Sequence, residues 1–276
     1  MRWFSILVAL VVGCAMTGTR ETLKQVQGDI VGNRGVAQDS IVFGNPIIDF
    51  CLDKNNNLLL LDASQEKILA LNLESARIDT IILPQKIYFV KGIATDGIFI
   101  YLYTDNSLWR YDRTNQVLKT IIEPANKIKI NGIAITSSGE IFVSDDLNNQ
   151  IVFVNSLANL TKFNIDIKDL FIPAGLDYDE QISKLYLINK AQNRIEAYSR
   201  IGNFLTQFIL PDQSCNNIIS SQDQILVWGE NKNFYYQRNR QSDWVKKVLS
   251  NKITDIVAIN NLLYILDSTK GIFIYK

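Results

Sequence analysis

Six positions in this chain could bring oxygen and nitrogen side chains to one place. Asp49, Lys91, Asn131, Asn216, Asn217 and Asp255 sit at the starts of short apolar runs that recur at steps of 38 to 43 residues. Carboxylate and amide oxygens suit a hard ion such as calcium, which takes about six to eight oxygen ligands. Asp49, Asn131, Asn217 and Asp255 are the four that could serve it, with Lys91 adding one cation. The simpler expectation is a polar, water-filled opening with no cofactor, no metal and no catalytic residue. A second series, Asp62, Asp105, Asp145, Asn189, Glu230 and Asp267, follows a later apolar run in each copy. One short acceptor just before a turn satisfies free backbone amides there. Asn and Glu serve that purpose as well as Asp, which favours turn capping over a ring of metal ligands.

Several chemistries are excluded. The chain has no histidine. Ser-His-Asp and Cys-His nucleophile systems, His-ligated zinc and imidazole proton shuttles are therefore impossible. Its cysteines, Cys14, Cys51 and Cys215, show no C-x-x-C spacing, so zinc and thioredoxin-like readings fail. Cys51 and Cys215 fall in copies that are not neighbours and are expected to be buried small hydrophobes, not a disulfide. With 28 basic and 28 acidic residues the net charge is zero, against nucleic acid or a polybasic membrane patch. No phosphate-cradling glycine loop and no Gly-x-Ser-x-Gly occurs. Any catalysis would rest on carboxylates, Lys, Tyr or a hard ion.

Aromatic residues gather in two copies. Trp228, Phe234, Tyr235, Tyr236 and Trp244 crowd the fifth, and Tyr101, Tyr103, Trp109 and Tyr111 the second. Most are expected to fill gaps between layers. Strand alternation sends neighbours to opposite faces, which leaves Trp109 and Tyr235 as candidates for an exposed binding patch.

These residues need a scaffold, and the repeat supplies it. Runs beginning at 49, 92, 132, 175, 217 and 255 mark six copies of one unit. Each continues with a second apolar run (Leu58 to Leu61 in the first) and a third (from Ile68), separated by polar turns. Runs this short, bounded by Asn, Asp, Ser and Gly, are strands. Copies of about forty residues with four strands each predict propeller blades. A fourth strand is visible in five copies only, since the chain stops at Lys276. Residues 39–43 form a strand with no other partner. They are expected to pair with residues 271–276 and close the ring, because an open edge invites aggregation. The expected fold is all-β: a six-bladed β-propeller over 38–276, with four antiparallel strands per blade. The starts of its innermost strands would line the mouth of the central channel.

At the other end, Met1-Arg2 precedes an apolar run of ten residues, Trp3 to Val12, too short to span a bilayer. It fits the apolar part of a signal peptide. Val11-Val12-Gly13-Cys14 resembles a bacterial lipobox. That resemblance implies a signal peptide over 1–13 and a lipidated Cys14 as the first mature residue; the alternative is a plain secretory signal. Ala15, with no Asp at that place, implies the outer membrane if the source is Gram-negative. Residues 14–37 read as the lipidated cysteine and its tether, or a short helix around Arg20 to Gln27.

Gly132-Ile133-Ala134-Ile135, Ser138-Gly139-Glu140-Ile141-Phe142-Val143-Ser144-Asp145 and Asn148-Asn149-Gln150-Ile151 together resemble one NHL repeat. Gln192-Asn193-Arg194-Ile195 repeats its turn, and Gln65-Glu66-Lys67-Ile68 keeps the shape alone. The resemblance covers about residues 45–276 and implies a propeller more than an activity. Six-bladed lactonases also resemble the layout, with a channel metal held by carboxylates and Asn. Their usual Glu near the first inner strand is here Asp49, and those with a catalytic His pair are excluded. The expectation is an envelope-anchored binding propeller for a protein, peptide or glycan. The alternative is a carboxylate- or calcium-dependent hydrolase or lyase.

Overall fold

The computed structural model describes residues 24–25, 39–165, 170–221, 224–229, 232–238, 243–249, 252–259 and 262–275. Cys14 and the rest of the leader lie outside them, as does Glu230. The first blade is β3 (Ile47–Leu52), β4 (Asn57–Asp62), β5 (Lys67–Asn72) and β6 (Ile78–Ile82). The second is β7 (Gly92–Thr95), β8 (Phe99–Tyr103), β9 (Leu108–Asp112) and β10 (Val117–Ile122). The third is β11 (Ile130–Ile135), β12 (Ile141–Asp145), β13 (Gln150–Val154) and β14 (Leu160–Lys162). The fourth is β15 (Pro173–Asp179), β16 (Lys184–Asn189), β17 (Arg194–Ser199) and β18 (Phe204–Ile209). The fifth is β19 (Asn217–Ser221), β20 (Gln224–Trp228), β21 (Asn233–Arg238) and β22 (Val245–Val248). The sixth holds β23 (Asp255–Ile259), β24 (Leu262–Asp267) and β25 (Gly271–Tyr275).

The sixth blade takes its outer strand from the front of the chain, as the strand count required. β2 (Asp39–Val42) pairs antiparallel with β25, Ser40 opposite Phe273 and Ile41 opposite Ile272. The sheet gains one strand more. β1 (Lys24–Gln25), inside the segment read as tether or helix, pairs with β2 as a short fifth strand.

The second strand of each blade explains the packing. In β4 Leu58, Leu59, Leu60 and Leu61 are all fully buried, although alternate side chains point opposite ways. Leu59 and Leu61 join the core between blades one and two; Leu58 and Leu60 join the core between blades six and one. A blade packed on both faces needs such an unbroken apolar strand. Six buried clusters fill the six junctions between neighbouring blades.

The acceptors after the second strands cap turns. Asp145 accepts backbone N–H bonds from Lys129 (3.0 Å) and Leu147 (3.2 Å), and side-chain amide bonds from Asn148 (2.6 Å) and Gln150 (3.0 Å). Asp62, Asn189 and Asp267 are likewise buried and bonded to neighbouring backbone. The register corrects two members of the series. Thr104 directly follows Tyr103 as Asp62 follows Leu61, so Thr104 holds the buried place and Asp105 is an exposed residue one further on. In the fifth blade the equivalent residue is Gly229, after Trp228. Alanine at 145 would strand several donors, so Asp145→Ala is expected to cost about 3 kcal/mol in urea denaturation. Asp105→Ala is expected to cost under about 0.5 kcal/mol. Equal effects would contradict this alignment.

Candidate functional site

Antiparallel blades put the turns between second and third strands and the connections between blades on one face of the ring. The innermost strands start there, at the mouth. The equivalent first channel positions are Asp49, Gly92, Gly132, Gly175, Asn217 and Asp255. Blades five, six and one therefore present Asn, Asp and Asp, and blades two, three and four present glycines. The glycines allow close approach. A side chain at Gly175 would meet the Asn216 carbonyl oxygen at 2.3 Å, where the Gly175 N–H donates a 2.8 Å hydrogen bond. The Tyr103 ring occupies the space a side chain at Gly92 would take.

Two of the expected mouth residues come together. Asp49 and Asp255, from the first and last blades, hydrogen-bond to each other. The Ile93 N–H also donates to Asp49 Oδ2 at 2.8 Å. Both side chains are only partly exposed along the wall, with protein around them. Burial pushes the Asp49 carboxyl up to about 6, against the lowering effect of its bond with Asp255. Burial and then the Asp49 charge push Asp255 well above the usual carboxylate range. Two buried acids so placed are each harder to ionise than an isolated carboxyl.

The others are spread around the rim. Lys91 is exposed and paired with Asp105. The Asn131 amide donates to the Pro173 carbonyl of the next blade at 3.5 Å. Asn216 is exposed, with its backbone bonded to Gly175 and Trp228. Asn217 lies beside Gly175. Calcium does not fit this arrangement. The carboxylates brought together are two, one of whose oxygens already accepts a backbone bond, and Asn131 is turned to a carbonyl. Among the described residues no three His, Cys, Asp or Glu side chains gather as a metal site.

The wall holds three residues outside the expected mouth set. Asp177, two positions along from Gly175, accepts bonds from the Ser220 N–H (2.6 Å) and Oγ (2.8 Å), and burial raises it. Cys51 is raised well above the thiol range by burial and then by Asp49 and Asp255, so it is no thiolate nucleophile at neutral pH. Tyr103 is raised by burial and by the same two acids. Cys51 and Cys215 are free thiols; Cys215 is buried as expected, whereas Cys51 is partly exposed. Alternation along the inner strand could have flagged Asp177 and Cys51, because both share the face of the first channel position.

The surface aromatics need correcting. Tyr235 is 7% exposed, packed between blades four and five, and its hydroxyl donates to Asp212 at 2.7 Å. The alternate residues of its strand, Phe234 and Tyr236, pack toward blade six, so both faces are covered. Trp109 is half-buried against the core between blades one and two. The exposed pair is Tyr88 and Phe89, on the connection that leads into β7 at the mouth. Their ring centroids are 6.5 Å apart, and the Lys86 ammonium lies 5.5 Å from the Tyr88 ring. Phe89 is 84% exposed and has φ of 60°, a left-handed backbone that costs a bulky residue about 1 to 3 kcal/mol.

No family model matches the chain, and no curated protein matches it. Solved structures do. Virginiamycin B lyase from Staphylococcus aureus superposes with a TM-score of 0.63 at 14% identity, over 93% of this chain and all of that one (100%). A catalytically inactive histidine-to-alanine variant of that lyase with quinupristin matches with a TM-score of 0.60 at 12% identity, over 93% and 100% of the two chains. A chain of a nidogen–laminin complex matches with a TM-score of 0.61 at 15% identity, over 76% of this chain and 84% of that one. A chain of the mitotic checkpoint complex matches with a TM-score of 0.60 at 9% identity, over 91% and 98%. At such identities the likeness is one of fold: this chain is a six-bladed β-propeller, and propellers of similar shape include a lyase and members of protein complexes.

Proposed function

We propose that the chain is an exported binding propeller of the NHL-like kind, anchored by lipid at Cys14 and presenting its channel mouth to a partner in the bacterial envelope. The partner is a protein, a peptide or a glycan, and the outer membrane is the place if the source is Gram-negative. The observation that carries the binding reading is the Tyr88–Phe89 pair, exposed at the mouth on a strained backbone. Aromatic side chains of this kind dominate binding energy when a partner covers them. Propeller neighbours found in complexes with laminin and with checkpoint proteins use the same scaffold. The lipobox-like Val11-Val12-Gly13-Cys14 supports the anchor.

Two measurements test this reading. Cys14→Ser is expected to move the protein from the membrane to the soluble fraction and to abolish labelling by a fatty-acid probe. For an envelope partner recovered with the wild type, Phe89→Ala is expected to weaken binding roughly tenfold or more at an unchanged melting temperature. Undiminished capture by the variant would remove the mouth from the reading.

The second reading is a hydrolase or lyase, favoured by one feature: burial pushes the Asp49 carboxyl up to about 6, toward the range where a general acid or base works best. The lyase neighbour lends its fold and not its machinery. An inactive histidine variant of that enzyme points to a histidine there, and this chain has none.

A further inference from the structure

The chain enters the propeller on the same face as the channel mouth. β2 runs toward the mouth, since residues 43–46 lead from its end directly into β3. β1 pairs with that end of β2: Lys24 lies opposite Val42 and Gln25 opposite Ile41. The pair is antiparallel, so the chain before Lys24 comes in from the mouth side. Ten steps of chain separate Cys14 from Lys24. A flexible chain of that length spans roughly 17 Å r.m.s. and at most about 35 Å. A domain of this size has a radius of gyration of roughly 18 Å. A tether from Cys14 is thus too short to pass round the blade at ordinary extension, and the opposite face stays away from whatever holds the cysteine.

Nonpolar side chains stand outward on the mouth face. Leu147, in the turn between β12 and β13, is 60% exposed. Leu170 and Ile172, on the connection into β15, are 79% and 41% exposed, with Phe171 buried between them. Asn189 fixes this stretch. Its amide donates to the Leu170 carbonyl at 3.2 Å, and its Oδ1 accepts from the Ile172 N–H at 3.2 Å. The backbone that presents both side chains is therefore held and not free to fold them inward.

We propose that the mouth face is turned toward the bilayer that holds Cys14, and that Leu147, Leu170 and Ile172 rest in its interfacial region. The inference depends on the lipid anchor proposed above and deepens that reading: the partner of the mouth is itself in or on the same membrane. Nonpolar side chains gain by leaving water for the boundary between headgroups and acyl chains, where interfacial elements settle about 5 to 10 Å deep. Tethering makes that contact intramolecular in effect, so three side chains suffice where a free protein would need more. Ile98, Leu157 and Ile201 are also exposed, but they sit in turns of the opposite face. The tether keeps them from the bilayer, and they serve as controls.

The test uses the mature, anchored protein in vesicles of phosphatidylethanolamine and phosphatidylglycerol with a headgroup-nitroxide lipid. A fluorophore on Leu170→Cys is expected to be quenched roughly threefold or more relative to one on Ile201→Cys, with the unsubstituted chain as the labelling blank. Adding Leu147→Asp and Ile172→Asp is expected to bring the quenching at 170 down to that at 201. Equal quenching at the two sites, or more at 201, would overturn the orientation and leave the anchor standing. Quenching at 170 that survives the two aspartates would overturn docking through these side chains. A chain that does not float with the vesicles would remove the anchor and this inference together. Should Leu170→Cys not fold, Leu147→Cys carries the fluorophore, with Ile172→Asp as the added change.

Discussion

Gly271→Ala is expected to lower the melting temperature by roughly 10 °C, the yield of about 4 kcal/mol in a domain of this size. Gly271 opens β25 with φ of 119°, where a β-carbon is strained whatever the space. That carbon would also meet the Ile41 carbonyl oxygen at 2.1 Å, in the strand that closes the ring. Alanine must therefore push β2 off β25, and the loss is of closure as well as of local geometry. Gly44 is the control. It sits two residues beyond β2, and nothing lies within 4 Å of a side chain there. Gly44→Ala is expected to leave the melting temperature within about 2 °C. Calorimetry of both variants checks this, and similar losses in the two would deny a special role to the contact with β2.

Phe142→Ala is expected to cost about 4 kcal/mol, the usual range for emptying a large buried aromatic site. Phe142 is fully buried at the junction of blades three and four. Its ring lies 4.9 Å from Phe163, 5.3 Å from Phe153 and 5.7 Å from Tyr178, so three aromatic contacts vanish with it. Phe142→Leu keeps most of the volume and is expected to cost under about 2 kcal/mol. Urea denaturation distinguishes them; a loss below about 1 kcal/mol for alanine would mean that the junction repacks around the gap.

The same packing explains what could be read from residues alone. Second strands such as Leu58 to Leu61 are covered on both faces, so their apolar runs are unbroken and the repeat stands out. The stray strand at the front and the missing one at the back then fixed the closure. Outer strands carry no such demand. β22 is exposed along its length, and its Val-Lys-Lys-Val has no pattern to align. Asp105 was placed one residue early because a polar residue after an apolar run looks the same whether buried or not. Tyr235 looked free because strand alternation does not reveal that a blade is sandwiched on both sides. The pairing of Asp49 with Asp255 spans most of the chain in sequence, yet they are equivalent positions in blades that closure makes neighbours. Asp177 stayed hidden because its partner, Ser220, is on another blade.

The closing strand also sets an order of events in synthesis. β2 is made before every blade and its partner β25 after the other strands of all six. Joining ends about 230 residues apart costs on the order of 5 kcal/mol in chain entropy, which only a nearly finished set of blades offsets. Until β25 leaves the ribosome, the sixth sheet lacks the strand onto which its outer member docks. The nascent chain remains an open arc until then, and the ring locks only when β25 is available.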